Sequence, residues 1–203
     1  MAIPARVLKQ LGHPSGLAGR FILRMLNRVN ANMNQHAREA LNLLDQDRVF
    51  EIGFGGGALI GDILATGKNL HVTGGDISNL AVKSAQKRYA NVPNTNFERL
   101  SGEALPYKEG RFTKVVGVNV IYFWRDVPNM LFEISRVLEN GGRLVLCYSE
   151  EGPKEGTLFK RENVEAQMRV AGFKNLQSTQ IASDDTDSHY CTVGIKSSAI
   201  PAG

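Results

Sequence analysis

Val49-Phe50-Glu51-Ile52-Gly53-Phe54-Gly55-Gly56-Gly57 is the stretch around which the rest of the chain is organised. A polar turn, Asp45-Gln46-Asp47-Arg48, precedes it, and the apolar pair Val49-Phe50 suits a short buried parallel strand. Ala58-Leu59-Ile60 then opens a helical pattern that continues through Ile63 and Leu64. The reading is strand, glycine turn, helix. Glycines let the backbone bend sharply and approach a ligand with no Cβ in the way. The following helix start presents free N–H groups and a positive dipole end. Gly53, Gly55 and Ala58 also satisfy G-x-G-x-x-G/A, the pattern of a dinucleotide-binding turn. Glu51 discriminates. An acid two positions before the first glycine repels a pyrophosphate and suits a ligand with a cationic group across the turn.

Glu51, Gly53, Gly55 and Gly57 match acid-x-G-x-G-x-G position for position, and here the chain resembles the class I S-adenosylmethionine-dependent methyltransferases. S-adenosyl-L-methionine carries an amino group and a sulfonium, both cationic. The resemblance extends over about residues 36–195 and implies a Rossmann-like, doubly wound α/β fold. Its sheet has seven strands with an antiparallel last strand, and a helical cap lies N-terminal to it. The expected organisation is an arm or cap over 1–35, a cofactor domain over 36–197 and a tail over 198–203. Resemblance to the group containing ubiquinone and menaquinone biosynthesis enzymes implies the cofactor and the fold, without implying a quinone.

Further along, Leu70 to Asp76 reads as the second strand, with Asp76 at its C-terminal end, 19 residues after Gly57. A carboxylate there can accept from both ribose hydroxyls, although a turn or capping role would also place an acid here. Gly75-Asp76-Ile77-Ser78 resembles the family's second motif, and Ser78 is placed to cap a helix running to about Tyr89. After a third strand over Asn96–Ser101, Gly102-Glu103-Ala104-Leu105-Pro106-Tyr107 resembles the segment that meets the adenine ring. Glu103 replaces the usual aspartate there. Phe112–Val118 is the fourth strand, and Asn119 follows at its ligand-facing end, with Tyr122, Phe123 and Trp124 beyond. The aromatics can wall a substrate, screen a cation or close a loop. Cofactor contacts are therefore expected from Glu51, Gly53, Phe54, Gly55, Gly57, Asp76, Ile77, Glu103, Ala104 and Asn119.

The remaining elements are a helix over Asp126–Leu138, a fifth strand over Arg143–Tyr148, a helix over Arg161–Ala171 ending at Gly172, and strands over Asn175–Ala182 and His189–Ile195. Arg136-Val137-Leu138 before Gly141-Gly142 resembles another family motif; Thr113 stands where the family has an aspartate. Methyl transfer needs a general base only for a weakly acidic hydroxyl or a protonated amine. His13, Tyr122 and His189 are the candidates, while His71 is at the wrong end of its strand. No paired His/Cys set suggests a metal.

At 203 residues, 42% apolar and 22% charged, the chain reads as one soluble globular domain. No apolar run approaches the ~20 residues of a membrane-spanning helix. Two cysteines, Cys147 and Cys191, imply no disulfide framework and fit a reducing, cytoplasmic setting. The net charge of +4 is uneven: residues 1–38 hold six basic residues and no acid, leaving 18 basic against 20 acidic in the remainder. Within this arm, Phe21, Ile22, Met25, Leu26, Val29 and Met33 recur at helical steps, with Arg20, Arg24 and Arg28 opposite. Three readings stand: a helix packed on the domain with arginines outward, a lid over an anionic substrate, and a membrane-surface or targeting helix. A second helix is expected over His36–Leu44 with Ala37, Ala40, Leu41 and Leu44 inward. The function expected is transfer of methyl to a small-molecule acceptor by in-line displacement. Alternatives are a nucleic-acid methyltransferase, a nicotinamide-dependent oxidoreductase and a non-catalytic cofactor-binding protein. Against the oxidoreductase stand Glu51, the terminal hairpin and the lack of a Tyr-x-x-x-Lys.

Overall fold

The computed structural model describes residues 16–100, 104–151, 158–182 and 187–197. Helices α1 (Gly16–Val29) and α2 (Ala31–Ala40) lead into alternating strands and helices: β1 (Arg48–Ile52), α3 (Ala58–Leu64), β2 (His71–Asp76), α4 (Asn79–Arg88), β3 (Thr95–Arg99) and β4 (Phe112–Val118). A single 3-10 turn, Ile121–Phe123, precedes α5 (Val127–Val137), β5 (Leu138–Ser149), α6 (Arg161–Val170), β6 (Phe173–Ile181) and β7 (His189–Lys196). The strands form one sheet in the order β3-β2-β1-β4-β5-β7-β6. β1 to β5 are parallel, and β7 runs antiparallel to both its neighbours, as expected.

The strand order reverses beside β1, so the carboxyl ends of β1 and β4 flank a crevice, the place where open α/β sheets bind ligands. Both faces of the sheet are covered. On one, Leu59, Ile60 and Ile63 of α3 and Val82 of α4 pack with Met33 and Ala37 of α2. On the other, Met130, Leu131 and Ile134 of α5 pack with Val164 and Met168 of α6. Burial on both sides explains why Val49–Phe50 of β1 and Val115–Val118 of β4 are apolar without alternation.

Local chemistry sets the helix ends. Ser78 caps α4, its Oγ accepting from the Ala81 amide at 3.3 Å, and Asp126 caps α5, accepting from the Asn129 amide at 2.9 Å. Gly172 takes φ +91° just past α6, the left-handed stop expected from sequence. Thr113 compensates for its missing carboxylate by donating to Asp47 Oδ1 at 2.6 Å while accepting from the Arg48 amide. β5 starts at Leu138 rather than Arg143, because Leu138 pairs with Phe112 before the register shifts ahead of Lys114.

The N-terminal helices depart from expectation. The chain turns at Asn30, so Met33 belongs to α2, which begins at Ala31 instead of His36. Ala37 and Leu41 are buried as expected, but Leu44 is exposed because the helix has already ended. Phe21, Met25 and Val29, inward in the packed-helix reading, are exposed, while Leu23 is a buried apolar side chain of α1. Apolar positions cover about half the circumference of α1, and periodicity could not say which part packs. The half that does is Leu23-Leu26-Asn27.

Candidate active site

Glu51 is centred in the sheet, in register with Gly74 of β2 and Val116 of β4. Its side chain is buried, and Oε2 has no hydrogen-bond partner. Burial, reinforced by the nearby Asp76 and Asp62 carboxylates, pushes its pKa well above the usual carboxylate range. A buried acceptor left without a donor is destabilising unless a ligand supplies one. The next residues make the bend. Gly53 takes φ +72°, and a Cβ there would run into the Val120 side chain; its amide donates to the Gly75 carbonyl at 2.7 Å, carrying the β1–β2 pairing past the strand end.

Asp76 closes the opposite side of the turn. One carboxylate oxygen accepts from the Gly55 amide at 2.8 Å and the other from the Ser78 amide at 2.7 Å. These bonds fix the orientation of its carboxylate. Helix α1 lies directly over the turn. Asn27 Nδ2 donates to the Gly56 carbonyl at 3.3 Å, so tightly that a Cβ on Gly56 would overlap the Asn27 amide. Asn119, at φ +51°, donates from Nδ2 to Asn30 Oδ1 at 2.9 Å and so ties the α1–α2 junction to the end of β4.

These elements enclose a cavity of about 840 Å³. Glu51, Gly53, Phe54, Gly55, Asp76 and Ile77 line one part, and Asn119, Tyr122 and His189 another. Most residues singled out from sequence are thus brought together. Gly57 instead shapes the turn from beneath, at φ +69°, where its carbonyl accepts from the Tyr89 hydroxyl at 3.0 Å. Ala104 is exposed, and the wall there is Leu100 and Leu105. The reason is a clamp from α5: Glu133 accepts from the Leu105 amide at 2.8 Å, and Arg136 donates to the Leu105 and Tyr107 carbonyls at 2.8 and 2.7 Å. His13 and Glu103 lie outside the described residues.

Tyr122 holds backbone rather than offering a free base. Its hydroxyl donates to the Ser149 carbonyl at 2.8 Å and accepts from the Ser149 amide, pinning the end of β5. Burial raises its pKa, keeping it a neutral phenol throughout the physiological range. His189, which pairs with Ser149 across β5–β7, is the described histidine on the cavity wall; His71 is at the far end of β2. Reading the sequence missed Asn27, Asn30 and Asn34, which all line the cavity, and Asp187, which accepts from Ser149 Oγ at 3.3 Å. The three asparagines recur at steps of three and four across the α1–α2 junction, a signal that the apolar periodicity of the arm obscured.

A parallel sheet reversed at β1, an acid near the end of β1, a glycine turn and an acid ending β2 make up a Rossmann-like crevice at the carboxyl ends of the strands. Residues 50–146, just under half of the chain, match the family described as a methyltransferase domain, in line with the resemblance carried by the glycine turn. It is 26% identical over 151 residues to YdaC, an uncharacterized methyltransferase of Bacillus subtilis, covering 72% of this chain and 82% of that one. Further curated relatives are longer, and the chain spans a little under half of their length. Among solved structures, a Haloferax volcanii methyltransferase in complex with the Trm112 activator superposes with a TM-score of 0.74 at 18% identity, over 87% of this chain and 94% of that one. Phosphoethanolamine N-methyltransferase 2 of Haemonchus contortus, in complex with S-adenosyl-L-methionine, gives a TM-score of 0.71 at 12% identity, over 88% and 57%. These low identities speak to the fold alone.

Proposed function

We propose that the chain binds S-adenosyl-L-methionine in the Glu51–Asp76 part of the cavity and transfers its methyl group to a small-molecule acceptor held in the remainder. The observation that carries this reading is the buried, unpartnered Glu51 Oε2 beside a glycine turn and the oriented Asp76 carboxylate. The donor set fits the group: Glu51 for a cationic amino group, Asp76 for ribose hydroxyls, Phe54, Ile77 and Leu105 for apolar ring surface. Glycines at 53 and 55 keep the approach clear of side chains. When bound, the cofactor supplies a methyl carbon already made electrophilic by its sulfonium, so the reaction asks for no metal.

The chain's part is alignment and exclusion of water. Holding two reactants in near-attack geometry can contribute on the order of 7–11 kcal/mol to lowering a barrier. Asn27 and Asn30 carry α1 over the turn and so shield the reacting centre. The amides of Asn30 and Asn34, with Trp124 and Phe123 of the same cavity wall, provide polar and apolar contacts for an acceptor of modest size. His189 stands on the same wall and is the described group suited to take a proton from an acceptor hydroxyl or ammonium. Helix α1 acts as a cap on the cofactor domain, tied to the end of β4 through Asn30.

Titration calorimetry with S-adenosylmethionine, S-adenosylhomocysteine and NADH, on the natural chain and on Asp76→Ala, tests the reading. Micromolar binding of both sulfur compounds, lost in Asp76→Ala and absent for NADH, is expected. Binding of NADH alone overturns it in favour of an oxidoreductase. Cofactor binding without turnover on any acceptor would point to a non-catalytic binding protein.

A further inference from the structure

Helix α1 presents two faces with different fates. Leu23 and Asn27 face the glycine turn. On the other side Phe21, Met25 and Val29, four residues apart, form a row in which they are 70%, 40% and 68% exposed. A helix that leaves three large apolar side chains in solvent along one line, when its other face already packs, presents a surface that a partner can cover. Helix α1 contains no acidic residue and ends with an exposed Arg28 in its last turn. The segment from residue 1 to 38 carries six basic residues and no acid, while the rest of the chain is slightly acidic.

The row also leads somewhere. Met25 and Val29 line the cavity as well as being exposed, so they stand at its rim. Phe123, 40% exposed, and the exposed Arg125 line the same cavity from the end of β4. The mouth of the acceptor region is therefore rimmed by apolar side chains, with Arg125 at the margin. A water-soluble acceptor would not require such a rim.

We propose that the α1 row of Phe21, Met25 and Val29, with Phe123, Arg28 and Arg125, docks the protein onto an anionic lipid surface with the cavity mouth toward the bilayer. The occupant is assigned by charge and by continuity. An apolar helix face bordered by basic residues partitions into the headgroup boundary, its apolar residues buried and its cations against anionic lipid. The negative surface would favour the acid-free arm over the faintly acidic body and so orient the molecule. An amphiphilic acceptor could then enter the cavity along the apolar rim without crossing water. The docking surface stands or falls independently of which cofactor is bound.

Vesicle co-sedimentation of the full chain tests this, with phosphatidylcholine alone and phosphatidylcholine mixed with phosphatidylglycerol, at low and high salt. Phe21→Ser and Arg28→Ala are the variants, neither of which lines the cavity; circular dichroism and S-adenosylhomocysteine titration check that each remains folded. Expected are sedimentation with the anionic vesicles only, weakening with salt, about tenfold loss in Phe21→Ser and about fivefold loss in Arg28→Ala. Absence of sedimentation with anionic vesicles, or sedimentation indifferent to both variants, overturns the proposal. Sedimentation equilibrium and a labelled-duplex DNA titration cover other occupants. A dimer dispersed by Phe21→Ser would assign the face to a second copy, and salt-sensitive duplex binding lost in Arg28→Ala would assign it to nucleic acid; either overturns the lipid assignment.

Discussion

Replacing Glu51 by glutamine separates the cost of this residue in the empty protein from its use with ligand. In the fold its carboxylate is buried, one oxygen lacks a donor, and its pKa is raised by burial first and by Asp76 and Asp62 second. The sign follows from linkage. A carboxyl group whose folded pKa exceeds its unfolded value holds its proton longer in the fold, so empty-site stability falls as pH rises between the two values. Above that window the full cost of an ionised buried group remains. Glutamine keeps the shape and one acceptor oxygen but carries no charge. An unsatisfied buried polar group costs about 1–3 kcal/mol, and glutamine relieves part of this. We expect the ligand-free variant at neutral pH to gain about 1 kcal/mol, a rise in Tm of about 2–4 °C for a domain of this size, and to lose the fall in stability across the window.

Ligand reverses the order. Removing one partner of a buried charge pair costs about 2–5 kcal/mol. Because glutamine retains an acceptor, the lower part of that range applies, a ~30–150-fold weaker affinity for about 2–3 kcal/mol. With S-adenosylmethionine at a hundred times the natural protein's Kd, the natural chain gains about 2.7 kcal/mol of stability; the variant gains well under half of that. Differential scanning calorimetry of both proteins, with and without ligand across pH, should show the two melting orders cross. A variant that is less stable when empty, or that binds with natural affinity, would refute the assignment of Glu51 to a cationic group.

Three further outcomes follow from the site's architecture. Tyr122→Phe removes the hydroxyl that serves the Ser149 amide and carbonyl; urea unfolding should show a loss of about 1–3 kcal/mol, with the pH profile of any turnover unchanged in position. Gly53→Ala places a Cβ against Val120 at a positive φ; about 1–3 kcal/mol of stability should be lost, with cofactor affinity falling at least as steeply. Arg136→Ala frees the Leu105–Tyr107 segment and Glu133. Glu133 has a lowered folded pKa, chiefly through its hydrogen bond to Arg136, so its stabilisation is present at neutral pH and fades as pH drops through that lowered value. The variant should therefore be less stable than the natural chain at neutral pH and approach it in acid, as thermal melts from neutral to acidic pH will show.

The central βαβ unit was legible in the residues because its rules are local. Val49-Phe50 before a glycine cluster can hardly be other than a buried strand entering a turn, and Phe112–Val118 agrees with the observed strand end for end. Ser78 acts as the expected cap because capping joins residues three apart. Glu51 and Asp76 could be paired as the acids of one site because parallel strands on either side of a glycine turn end side by side, whatever surrounds them.

Tertiary structure alone decided the rest, because those features depend on contacts distant in sequence. Which arc of α1 packs was settled by the close approach of Asn27 to Gly56, 29 residues away. Asn119 reads as a residue facing the ligand, yet its amide is engaged by Asn30, 89 residues upstream. Tyr122 reads as a candidate base until the fold brings Ser149 onto its hydroxyl. Ala104 turns outward only because α5 holds the residue after it. Sequence periodicity reports that a side chain is apolar or polar and how often it recurs; which of several apolar faces packs, and which polar groups are already satisfied, depends on the partner that the folded chain delivers.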